Sequence, residues 1–307
     1  MSRRVQYSRL GGPEVLEVVE VDPPTPEPGQ VRVRVHIAGL NPFDHKVFRG
    51  VIAVDPQNAG LPAGVGSDFA GVIDELGVGV STYSLGDVVF GGRFGQAQAD
   101  YLVTDATAIA LAPSGVTIEQ AGSLDIVART ASASVAAIAP TAADTVFVSA
   151  AAGGVGVLAS QLVARTGARV IGSCGPENVK FLRSIGVEPV FYGDGLIEAI
   201  RALAPDGITA ALDNHGRASV DAALASGARA SRINTIADFK APADYGVSAV
   251  GGSVAGLAEL VDVASLVGSG KIIFPIDSTY PLERVREAYE RLMAGHLRGK
   301  IVLDLRT

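Results

Sequence analysis

Two stretches carry residue types that could do chemistry. The first, FVSAAAGGVGVLASQL over residues 147–162, runs an apolar strand-like segment into Gly153, Gly154 and Gly156 and then into an apolar helical run. In the spacing G-x-G-x-x-G the three positions fall on Ala151, Gly153 and Gly156, so alanine stands in place of the first glycine. Such a loop would let Gly153 approach a pyrophosphate, let Gly156 pack the helix closely on the strand, and offer backbone groups from Ala152 to Val155 to phosphate oxygens. The competing reading is a tight turn in an alanine-rich chain. The second stretch, AGLNPFDHKVFRG over residues 38–50, gathers an amide, a carboxylate, an imidazole and two cations. Asn41 before Pro42 could hydrogen-bond a reactant or shape a turn. Asp44 could orient Asn41 or Lys46, relay a proton through water, or close an Asx turn. Lys46 and Arg49 could neutralise developing negative charge or solvate a face, and His45 could carry a proton near neutral pH or sit at the surface.

The chain has one cysteine, Cys174, and four histidines, His36, His45, His215 and His296, that show no ligand spacing. No metal site is expected. Without a Lewis acid, chemistry through a metal alkoxide loses its main electrostatic term, whereas hydride transfer to an already electrophilic conjugated acceptor stays feasible.

The elements that must position these residues fall into two textures. Up to about residue 118 the chain reads as short, often valine-rich strands (31–39, 70–77, 86–92, 98–105) between turn residues, a β-rich and partly barrel-like domain. After about residue 119, strands (144–149, 168–173, 189–193, 208–213, 233–238) alternate with helices (about 155–166, 177–185, 195–204, 218–225). That alternation predicts an α/β doubly wound domain on a parallel sheet. PLERVREAYERLMAG, residues 281–295, reads as one amphipathic helix, followed by a last strand in GKIVLDL.

In open α/β sheets ligands collect at the carboxyl ends of strands, which selects Asn214, His215, Thr235, Ile236 and Ala237. The backbone around Gly251 in AVGGS is a further candidate for a carboxamide. The second strand of the unit ends in Ser173 and Cys174, where an NAD-selective site usually has an acidic residue. This favours NADPH, with Ser173 and Asn178 as neutral donors and Lys180 as a source of charge; Glu177 argues the other way. Lys300 could reach the cofactor or only cap the sheet.

The chain has 307 residues, 48% hydrophobic and 19% charged, with net charge −7. That fits a folded protein of about two domains and speaks against a nucleic-acid partner or an anionic membrane surface. The start lacks a signal-peptide core, so a cytoplasmic protein is expected.

AAGGVG in this setting, AGLNPFDHKVFRG, GVGSDFAGVI (64–73) and YPLERVREAYERLMAGHLRGKIVL together resemble the zinc-free quinone oxidoreductase branch of the medium-chain dehydrogenase/reductase superfamily over nearly the whole chain. The resemblance implies a GroES-like catalytic domain of residues 1–118 and 275–307, with a Rossmann domain of residues 119–274 inserted between them. It implies NADPH as cofactor, a quinone or enone as substrate, and a homodimer. It puts Asn41 beside the nicotinamide, Thr130 at the start of a helix approaching it, and the Tyr192 hydroxyl near a 2′-phosphate. Two alternatives remain on the same scaffold: an enoyl-thioester or alcohol oxidoreductase, and a non-catalytic dinucleotide-binding protein.

Overall fold

The computed structural model describes residues 2–52 and 60–306. Residues 53–59 lie outside them; they belong to RGVIAVDPQNAGLPAG (49–64), a loop that by its place in the sequence is a candidate for lining a substrate pocket but whose shape the sequence does not give.

The alternation seen after residue 119 builds a five-stranded parallel sheet in the order Glu188–Phe191, Arg169–Cys174, Thr145–Val148, Ala210–Asp213, Ile233–Thr235. The earliest strand is central, the order of a doubly wound nucleotide-binding fold. The two-residue period of the strands sorts their side chains: Val146 and Val148 enter one buried cluster with Leu158, Leu182 and Leu260, while Phe147 enters the opposite one with Ile171, Ile200 and Val220. Helices therefore cover both faces, and the strand sequences can be apolar throughout.

The valine-rich segments form a second, mostly antiparallel sheet. Its path runs Ile276–Pro281, Lys300–Asp304, Gln30–Gly39, Asp68–Leu76, Val88–Gly92, Ile109–Leu111, with Tyr101–Asp105 also paired to Gln30–Gly39. The fourth expected strand thus starts at Tyr101 rather than at 98. A three-stranded sheet of Leu16–Val21, Ser2–Tyr7 and Ala63–Gly64 stands beside it.

The register of the larger sheet matters most for chemistry. Gly39 pairs with Asp68 on one side and with Val302 on the other. The Leu40 N–H then donates to the Ile301 carbonyl. Asn41, Asp68 and Lys300, far apart in sequence, consequently stand at the same end of three adjacent strands.

The C-terminal amphipathic segment is a short 3-10 turn, Leu282–Arg284, leading into the helix Val285–Ala294, which buries Val285, Ala288, Tyr289 and Leu292. The helix Asp125–Ile138 packs on the glycine-loop helix Gly154–Ala164 and also touches the larger sheet. Thr130 lies in its middle and not at its start, a correction to the expected position. No helix among the described residues is long and apolar enough to cross a membrane.

Candidate active site

A cavity of 1040 Å³ opens between the carboxyl ends of the parallel strands and the segments around Asn41 and Lys300. Its wall includes Asn41, Lys46, Thr130 and Lys300, the whole loop from Ala152 to Gly156, and Ser173, Asn178, Tyr192, Asn214 and Gly251. Asp44 and Thr235 were expected at the site and are not on this wall. Asp44 is buried behind it. The Thr235 hydroxyl donates to Asp213 at 2.6 Å and accepts the N–H groups of Ala237 and Asp238, so it fixes a loop whose residues Ile236 and Ala237 line the cavity in its place.

One end of the cavity is a buried charge cluster. Asn41 caps the helix Pro42–Phe48, but with its backbone: its N–H donates to the Asp44 carboxylate at 2.8 Å. The amide side chain is left for other partners. Its Nδ2 donates to Asp68 Oδ2 at 3.0 Å, and its Oδ1 accepts from Lys300 Nζ at 2.5 Å. Lys300 also pairs with Asp68 at 3.2 Å, with Asp68 fully buried and Lys300 3% exposed. Asp68 Oδ1 takes the Ile126 N–H at 3.0 Å. The Asp44 carboxylate accepts from Ser67 at 3.2 Å and from Tyr289 at 3.4 Å, and Gln98 donates to the Tyr289 hydroxyl. One ammonium faces two carboxylates here. Burial first, and then the Asp68 charge, push the Asp44 carboxyl up to about 7. Asp125, on the cavity wall and bonded to Arg129, is pushed up to about 6 by burial and by Asp68.

His45 does not line the cavity, and burial, with Arg49 and Lys46 nearby, holds its imidazole down at about 4. It is neutral at physiological pH. The Lys46 ammonium lies 6.0 Å from the ring centre of Phe239, an exposed aromatic on the opposite lip of the cavity.

The glycine loop fits a dinucleotide. A Cβ on Gly156 would stand 2.1 Å from the Ala150 carbonyl oxygen, so only glycine lets this helix sit so close to its strand. At Gly153 a Cβ would meet nothing nearer than that same oxygen at 3.3 Å and would project into open space at the cavity wall. Its absence leaves room for a ligand. The first-turn N–H groups of the helix Gly154–Ala164 have no intrahelical acceptor and face the same space. The missing first glycine has a local explanation: the Ala151 methyl fills the space over Gly172, where a side chain would come within 2.6 Å of it. Ala150, with φ 47°, makes the sharp turn.

At the far end, the Ser173 hydroxyl accepts the Ala150 N–H at 3.0 Å, and Asn178 is clamped between Glu177 at 3.3 Å and Arg298 at 2.9 Å. Arg298 also donates to the Glu177 carbonyl at 3.0 Å and lies over the Phe181 ring. Lys180, considered from the sequence as a source of charge, is exposed and not on the wall, whereas Glu177 is on it. Tyr192 stacks near His215 and shares a 2.5 Å hydrogen bond with His296 Nδ1. Asn214 is held by both the hydroxyl and the carbonyl of Ser149. Arg298, Tyr289 and Phe239 carried no local signal; long-range register and chain crossing bring them here. Among the described residues, no group of three or more His, Cys, Asp or Glu side chains could hold a metal ion.

Comparison with known proteins agrees with this geometry. Residues 27–141 match the alcohol dehydrogenase GroES-like domain, and residues 182–303 match the zinc-binding dehydrogenase family. Human quinone oxidoreductase is 30% identical over 329 residues, covering 99% of this chain and 98% of the human protein. A solved NAD-dependent alcohol dehydrogenase superposes with a TM-score of 0.88 at 27% identity, over 99% of both chains. A mycobacterial protein solved as a complex with NADPH superposes with a TM-score of 0.85 at 25% identity, over 98% of this chain and 99% of the other. The chain belongs to the quinone oxidoreductase branch of the medium-chain dehydrogenase/reductase superfamily, a family of NAD(P)H-using oxidoreductases.

Proposed function

We propose that this protein is a zinc-independent, NADPH-dependent reductase that transfers hydride to a quinone or another α,β-unsaturated carbonyl. The observation that carries the reading is that one cavity joins the open glycine loop to the buried Asn41–Lys300 pair. Ala152 to Gly156 would hold the pyrophosphate, with Thr130, Asn214 and Gly251 along the nicotinamide half and Ser173, Asn178 and Tyr192 at the adenosine ribose. When bound, the reduced nicotinamide supplies the hydride. The protein's part is to orient the acceptor, exclude water and offer hydrogen bonds to charge that appears on the acceptor oxygen. Asn41 and Lys46 would do so directly, and Asp44, behind the wall, would position Asn41 through its backbone N–H.

In this reading residues 1–118 with 275–307 form the catalytic domain and residues 119–274 the nucleotide-binding domain, with the cavity in the cleft between them. A homodimer completes the reading. The wall also carries Glu177, so the cofactor choice rests on the residues around it. The test follows nicotinamide absorbance with a panel of quinones and enones, before and after prolonged chelation, beside a binding titration without acceptor. Turnover that survives chelation is expected. Loss on chelation with recovery on zinc addition overturns the metal-free reading, and binding without turnover overturns the reductase.

A further inference from the structure

We propose that Lys300 is a catalytic residue: its ammonium, held by Asp68 and Asn41, donates the hydrogen bond that takes up negative charge on the acceptor's carbonyl oxygen as hydride arrives. The proposal rests on the reductase reading above. An ammonium has three N–H donors. Two are spent on Asn41 Oδ1 and Asp68 Oδ2, and among the described residues the third meets no protein acceptor, although the side chain is only 4% exposed and forms part of the cavity wall. The stem is laid in place. A Cβ on Gly154 would come within 2.9 Å of Lys300 Cδ, so the second glycine of the loop makes room for this lysine and ties it to the cofactor cradle.

Stability does not require the arrangement, because a buried Lys–Asp pair is generally no better than an apolar pair of the same volume. Function does, in the zinc-independent reading proposed above, where the hydrogen bond to the acceptor oxygen must come from a side chain. Of the other wall cations, Arg129 donates to Asp125 and the Ala255 carbonyl, and the Lys46 ammonium lies 6.0 Å from the ring centre of the exposed Phe239 and supplements the Lys300 bond at the acceptor. In the step itself the β-carbon of an enone gains the hydride and forms a C–H bond, while the π pair moves to the carbonyl oxygen as an enolate. The nicotinamide is oxidised and the enone reduced. Lys300 keeps its protons and donates one hydrogen bond, and a proton from water completes the α-carbon. With a quinone the charge falls on a phenolate oxygen and water completes the hydroquinone.

The test uses the double variant Lys300→Met with Asp68→Asn, which removes the buried ion pair as a unit and leaves the net charge unchanged. Wild type with NADP⁺ should bind 4-nitrophenol as the coloured phenolate, with its ionisation shifted to lower pH; the double variant should lose that shift while NADPH binding, read by fluorescence, stays within about twofold. Its kcat/KM should fall about 100-fold for a weakly electrophilic enone and far less for an electron-poor quinone. Unshifted phenol ionisation in the wild type overturns the assignment even if the variant fails to fold, as does an equal loss across acceptors. Absence of any wild-type turnover overturns the reductase reading instead.

Discussion

Asn41 and Lys300 are 259 positions apart in the chain, yet the Lys300 ammonium donates to the Asn41 amide oxygen at 2.5 Å inside a wall that both residues help to form. The contact fixes which end of the amide is which: Oδ1 faces the cation, and Nδ2 donates to Asp68. A side chain held at both ends presents a fixed dipole to whatever binds beside it, and pre-set dipoles are what stabilise charge forming in a transition state.

Asn41→Ala should therefore lower turnover more than it weakens cofactor binding. The expected loss in kcat/KM is about 10-fold to 1,000-fold, with the NADPH dissociation constant changed little. Steady-state kinetics beside a fluorescence titration check this. Unchanged kinetics would leave Asn41 as a helix-capping residue only.

Stability should fall as pH rises through neutrality. The Asp44 carboxyl titrates near 7 in the folded protein against 3.8 for the free group, so the folded state binds the extra proton between those values. The contribution is fully present below about pH 4 and lost as pH rises through 7, which amounts to about 1.4 kcal/mol between pH 6 and 8. Asp125, at about 6, acts in the same direction with most of its change below that window; His45, held at about 4 against 6.5 for the free group, acts oppositely and, because 6.5 lies inside the window, offsets part of the fall. Denaturant melts at pH 6 and 8 should show the fall, and Asp44→Asn should flatten it. A variant that keeps the full fall refutes the attribution.

Gly153 and Gly156 should separate binding from folding. Gly156→Ala drives a methyl into the Ala150 carbonyl oxygen and should cost about 1–3 kcal/mol of stability. Gly153, at φ −75°, takes a methyl once the Ala150 carbonyl oxygen, 3.3 Å from it, gives by a few tenths of an ångström. Gly153→Ala should melt near the wild type but bind NADPH at least about tenfold more weakly, since the methyl occupies ligand space. Thermal melts with and without NADPH distinguish the two outcomes.

How far the site was legible follows from the range over which each feature is specified. The glycine loop is local: its residues, the strand before it and the helix after it lie within about thirty positions, and their periodicities alone place them. Asn41 was legible as a type in a suggestive segment. Its partners were not, because Asp68 and Lys300 reach it through the register of three strands, and a one-residue slip would turn either away. Thr130 shows the limit of position by resemblance: the residue is on the cavity wall, but five positions into its helix and unable to cap it. Thr235 shows the same limit for the strand-end rule, which selects a loop correctly without saying which of its side chains face inward.

The choice of NADPH over NADH turns on Glu177 and Arg298. Ser173 and Cys174 end the second strand, so the strand tip itself carries no carboxylate, although that of Glu177 reaches back over Gly175, where a Cβ would stand 2.4 Å from its Oε1. Glu177 lines the cavity two residues after Gly175, with its carboxylate next to the Asn178 amide. Opposite it Arg298, from the loop after the C-terminal helix, holds the Asn178 oxygen and the Glu177 carbonyl, and brings a guanidinium to the same edge. The two charges pull the preference in opposite directions. Arginine offers a forked donor suited to phosphate, and glutamate can swing to solvent because it is exposed. NADPH should be preferred in kcat/KM with one acceptor at fixed ionic strength. Arg298→Ala should reduce the NADPH-to-NADH ratio about tenfold, mainly through NADPH, and Glu177→Gln should raise it. A wild type that prefers NADH, with Glu177→Arg shifting it towards NADPH, would mean that Glu177 selects against the phosphate and that Arg298 only braces Asn178.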